Sequence, residues 1–134
     1  MDRKKAGQCV HFNGVQHGTC RAGVSYDELR GEGERIPCYT PSFETAAPPA
    51  DCDKRQEPTD QEIADYEDWF SAHLDKMRTV MQGIMPWREA HQGKSAQEVV
   101  ECPACNGRLH LAISAYNGHV HGQCETEGCV RWME

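Results

Sequence analysis

Apolar and half-polar residues recur at alternating gaps of three and four through Ile63, Tyr66, Phe70, His73, Met77, Val80 and Ile84. That spacing is the signature of a helix with one apolar face, here widened by Trp69, Leu74 and Met81. Thr59-Asp60-Gln61-Glu62 forms a capping box before it, and Pro86 cannot continue it, which predicts a helix over about residues 60 to 84. A shorter helical piece, Pro86 to Gln92, is expected to stop at Gly93. The period then changes to two. Leu109, Leu111, Ile113 and Ala115 alternate with His110, Ala112, Ser114 and Tyr116, and Asn117-Gly118 supplies a hairpin turn signal. His119 to Gln123 reads as the return strand and Val130 to Met133 as a third, with Glu98 to Glu101 leading in.

Residues 9–58 show neither period. They are rich in Gly, Pro and polar residues, and Pro48-Pro49 marks an extended loop. Apolar content of 38% with three Trp, four Tyr and three Phe is thin for one large core, so the eight cysteines change the picture. Small modules with weak cores are held by disulfides or metals. The first residues, Met1 to Gln8, carry charge without an apolar run and do not read as a secretory signal. No segment approaches the roughly 18 apolar residues of a membrane span. A cytoplasmic location with reduced thiols is expected, and the cysteines read as metal ligands.

Their spacing separates two groups. Cys102-Pro103-Ala104-Cys105 and the later Cys124 and Cys129 bracket the hairpin, so two turns can bring four thiolates around one ion. This is the skeleton of a zinc ribbon with a closed, tetrahedral Zn2+ site that folds the chain and performs no chemistry. A redox Cys-x-x-Cys would open a helix rather than a hairpin. Cys9, Cys20, Cys38 and Cys52 lack paired knuckles. They are candidates for a second zinc, with a [4Fe–4S] cluster as the alternative, and His11 or His17 could replace a sulfur. His110, His119 and His121 cluster near the hairpin, and His73 lies in the apolar stripe. No phosphate loop, activated nucleophile or matched carboxylate pair stands out, so no enzymatic activity is expected.

Charge narrows the partners. The net value is −7, and residues 51–101 hold twelve acids against six bases. Each four-thiolate zinc centre would add about −2. Nucleic-acid phosphates favour the opposite balance, so a protein partner is expected, or a homodimer through the helix, with Ile63, Phe70, Met77 and Ile84 as contact residues. If nucleic acid were bound instead, Arg108, Tyr116, Arg131 and Trp132 on the ribbon are the candidates.

Cys102-Pro103-Ala104-Cys105, Leu109, Gly118-His119-Val120-His121-Gly122-Gln123-Cys124 and Cys129 resemble the C-terminal zinc ribbons of bacterial type IA topoisomerases, a resemblance that implies the ribbon fold and single-stranded DNA binding. The order Cys9-Val10-His11-Phe12-Asn13-Gly14, Cys20-Arg21-Ala22-Gly23-Val24-Ser25-Tyr26, Pro37-Cys38, Cys52 and Pro58-Thr59 ahead of that ribbon resembles small cysteine-rich proteins encoded by tailed bacteriophages and prophages. That likeness implies an accessory protein of the bacterial host cytoplasm, an adaptor or inhibitor acting on a host or viral protein. The expected architecture is α+β: an irregular, metal-bound, Cys-rich module over 1–58, a helical segment over 59–97, and a three-stranded zinc ribbon over 98–134.

Overall fold

The computed structural model describes all 134 residues and divides into two compact units, Met1–Glu67 and Asp68–Glu134. The first unit holds very little regular structure. Ahead of residue 60 it has a single 3-10 turn at Val15–His17 and one helical turn, α1, at Tyr26–Leu29, which Ser25 caps by accepting the Glu28 N–H. Isolated bridges join Gln8 to Tyr39, Thr19 to Ser25 and Arg35 to Pro49. Its core is small: Cys9, Tyr26, Ile36 and Cys38 are buried, with Phe12, Cys20 and Leu29 packed against them. The Tyr26 hydroxyl donates to Asn13 Oδ1 at 2.6 Å, and the Phe12 ring meets Tyr26 edge-on.

Helix α2 spans Asp60–Gly83. The capping box forms reciprocally: the Glu62 N–H donates to Thr59 Oγ1 at 3.2 Å, and the Thr59 N–H donates to Glu62 Oε2 at 2.8 Å. That backbone bond from Thr59 leads the causes holding the Glu62 carboxyl below its ordinary value. Ile84, its N–H still bonded to Val80 O at 3.0 Å, caps the next helix, and α3 follows at Met85–Ala90 with Pro86 in its first turn, where no amide is needed.

The sheet has four strands rather than three. β1 (Ala96–Glu101), β2 (Arg108–Ile113), β3 (Val120–Cys124) and β4 (Arg131–Trp132) lie in sequence order, all antiparallel. The lead-in strand pairs with β2 along its whole length, from Ala96–Ile113 to Glu101–Arg108. The Cys102–Gly107 turn folds the chain straight back, so those lead-in residues become a full edge strand. The hairpin loop is also longer than Asn117-Gly118 alone implies. β2 ends at Ile113 and β3 begins at Val120, because Ser114 Oγ accepts the Tyr116 N–H and Asn117 Oδ1 accepts the His119 N–H. These local side-chain acceptors compete with the ladder and open it into a loop.

The core of the second unit gathers Leu109, Leu111, Ile113, Val120 and Val130 with Cys102, Cys124 and Cys129, and is completed by Val80 and Ile84 from the helical segment. Met77, Met81 and Trp87 pack at its edge. Two glycines mark where elements approach too closely for any side chain. A Cβ on Gly83 would fall 2.4 Å from Pro103 Cγ, and one on Gly122 would fall 2.0 Å from the Trp132 ring. Helix α3 is tied down by polar bonds. Trp87 Nε1 donates to Glu98 at 2.6 Å, and Arg88 grips Glu134 through both oxygens at 2.9 and 3.1 Å. No helix is long and apolar enough to cross a membrane.

Candidate metal centre

The Sγ atoms of Cys102, Cys105, Cys124 and Cys129 lie within 4.8 Å of one another, and no other set of His, Cys, Asp or Glu side chains in the chain converges so closely. Two turns build the site. In the first, the Asn106 N–H donates to Cys102 O at 2.8 Å and the Cys102 N–H to Gly107 O at 2.7 Å, with Asn106 in the left-handed region at φ 60. In the second, the Cys124 N–H donates to Val130 O and the Cys129 N–H to Thr126 O. The Leu109–Cys124 pair of the hairpin brings the two turns together.

The geometry suits one tetrahedral ion. Sulfur separations are 3.8 Å for Cys102–Cys129, 3.5 Å for Cys105–Cys124 and 3.5 Å for Cys105–Cys129. A Zn–S bond of about 2.3 Å in a tetrahedron sets the sulfur–sulfur edge at about 3.8 Å. All eight cysteines are unbridged, so these are thiols in contact, not a disulfide.

The thiols differ in their readiness to ionise. Burial pushes the Cys102 thiol up, although the Ala104 and Cys105 amides oppose it. Burial also pushes Cys129 up, reinforced by hydrogen bonds to the sulfurs of Cys105, Cys124 and Cys102. Cys105 goes the other way, to about 6, led by its hydrogen bond with the Thr126 hydroxyl 3.3 Å away and helped by the Gly107 amide. Amides aimed at sulfur and a hydroxyl beside it stabilise thiolate, which is the metal-binding form.

Comparison with protein families, curated proteins and solved structures finds no match.

Cys9 and Cys38 are buried together in the first unit with Cys20 packed against them, yet no three sulfurs of the N-terminal group approach within 4.8 Å. Neither His11 nor His17 completes a metal set. On the helical segment, Ile84 is buried and Met77 packs at the core of the second unit, Ile63 is half-buried, and Phe70 is 43% exposed. On the sheet, Tyr116 at the hairpin tip is 96% exposed, while Trp132 is half-buried over Gly122. Arg131 is exposed, and Arg108 lies 3.6 Å from Glu125. His110 bonds the same carboxylate at 2.6 Å, and His119 is exposed. His73 stacks on Trp69, its ring centroid 5.4 Å away. Sequence reasoning missed Thr126 and the Arg88–Glu134 pair. Both come from tertiary approach, and only Thr126, two residues after a ligand, left a signal to find.

Proposed function

We propose that the protein is a non-enzymatic, zinc-stapled adaptor or inhibitor whose C-terminal ribbon holds one structural Zn2+ at Cys102, Cys105, Cys124 and Cys129 and whose central helix meets a protein partner. The convergence of four sulfurs at tetrahedral spacing carries the reading. Four protein thiolates fill the coordination of zinc and leave no position for water or substrate, so the ion holds the fold and activates nothing. Reduced thiolates of this kind suit a cytoplasmic protein.

The helix supplies the surface. Trp69, Phe70 and Leu74 are 37, 43 and 47% exposed, and Asp68 and Asp75 share that part of α2. An apolar groove rimmed with basic residues on a host or viral protein would complement it. Affinity capture under reducing conditions tests this, with Leu74→Glu as control. A specific partner lost in the variant is expected; capture that the variant leaves unchanged, or a homodimer in sedimentation, would count against it.

A second reading rests on Tyr116, whose ring at the hairpin tip is almost fully solvated and available for base stacking. Single-stranded nucleic acid would then be bound with an affinity that falls steeply with salt. Anisotropy of a labelled oligonucleotide across a salt series, with Tyr116→Ala, separates the two readings.

A further inference from the structure

The N-terminal unit has too little core for its length. Three of the seven residues that form it are cysteines, and ahead of α2 it contains one turn of α-helix. Its backbone nevertheless holds an order that the cysteine spacing hides. Cys9, Cys20 and Cys52 each open a reverse turn: their carbonyls accept the N–H groups of Phe12, Gly23 and Arg55 at 3.0, 2.9 and 3.2 Å. The three turns are joined to one another. The Arg21 N–H donates to His11 O at 3.0 Å, the Val10 N–H to Gln56 O at 2.9 Å, and Lys54 Nζ to Ala22 O at 3.4 Å. The fourth cysteine is fastened to the first, since the Cys9 N–H donates to Cys38 O at 2.7 Å. The Gln56 N–H points at the Cys9 sulfur at 3.4 Å. Arg55 donates to Pro37 O at 2.8 Å, which brings a guanidinium beside Cys38.

We propose that Cys9, Cys20, Cys38 and Cys52 hold a second zinc ion within the N-terminal unit. Three interlocked turns, each opened by a cysteine, and a fourth cysteine bonded to the first, form a cradle for one tetrahedral ion. Cys9 and Cys38 anchor it in the core, and the loops of Cys20 and Cys52 close the remaining distance on the metal. The Cys38 sulfur has those of Cys9, Cys52 and Cys20 as its neighbours, the four thiols a divalent ion would draw together. The ion supplies the stability that the small apolar core lacks.

Elemental analysis of the full reduced chain tests the site independently of the ribbon. Two zinc equivalents per chain are expected, falling to one in Cys52→Ser and returning to two in Cys52→His, because imidazole also ligates zinc. Cys124→Ser should remove the other equivalent, so failure of the ribbon site and failure of this one are told apart. In native wild-type protein, Cys9, Cys20, Cys38 and Cys52 should resist alkylation until a chelator is added. One zinc per chain, lost in Cys124→Ser and unaffected by Cys52→Ser, with these four thiols alkylated freely, would overturn the proposal. So would iron with acid-labile sulfide.

Discussion

At the residue scale, Thr126 carries the sharpest consequence. Its hydroxyl leads the interactions that hold the Cys105 thiol at about 6. Thr126→Val should lower the zinc affinity of the ribbon by about tenfold, the lower range for loss of a partner behind a ligand. The sign of the pH dependence follows from proton displacement. Below about pH 6 zinc must displace a proton from Cys105 in both proteins, and the variant holds it more tightly, so the deficit is full. As pH rises toward the ordinary thiol value of 9 both proteins present thiolate, and the deficit closes. Competition with a metal-binding dye from pH 6 to 9 measures it. The ligands themselves were readable from Cys-Pro-Ala-Cys and the later pair, because metal spacing is a local property of turns. Thr126 as a modulator was not, because its role depends on the turn that folds it against Cys105.

At the element scale, α2 and the ribbon knuckle meet at Gly83, and the outcome of filling that position opposes intrinsic helix preference. Ala in place of Gly inside a helix ordinarily adds up to about 1 kcal/mol. Here the new methyl would lie 2.4 Å from Pro103, so Gly83→Ala should destabilise by roughly 1–3 kcal/mol with zinc content unchanged. Thermal unfolding of the metal-loaded protein decides the sign. Helix α3 offers a second check. Glu134 is pulled two ways: burial would raise its carboxyl, but the Val120 amide and Arg88 together hold it below the ordinary value. Glu134→Gln should therefore cost on the order of 1 kcal/mol at neutral pH. A depressed carboxyl stabilises above its unfolded value and loses that contribution as pH falls through its folded one. The difference between wild type and variant should accordingly narrow below about pH 4.5. The helix and its cap were legible from period and capping box. Glu98 to Glu101 reads from sequence as a short lead-in strand, and its extension to Ala96–Glu101 as a full member of the sheet comes from pairing with β2.

At the scale of the whole molecule, two compact units divide inside α2, and each carries four cysteines. The apolar stripe of α2 reads from sequence as a face that something must cover, with Ile63, Phe70, Met77 and Ile84 as contact candidates. Its C-terminal half is instead taken up in the ribbon core through Met77, Val80, Met81 and Ile84. Periodicity announces that a face is apolar and not what covers it. The first unit, lacking any period, was legible only as cysteines in loops, because its order lies in hydrogen bonds between turns distant in sequence. Cys124→Ser should unfold the hairpin and leave the amides of residues 9–38 dispersed, as heteronuclear NMR would show. The most direct measurement is the same spectrum of the wild-type reduced chain through chelation and zinc return. The amides of Leu109, Leu111, Ile113 and Val120, the buried strand residues around the thiols, should collapse to unfolded positions when zinc is withdrawn and recover when it is restored. Native dispersion of these four amides in metal-free, reduced protein would contradict a ribbon held by its metal.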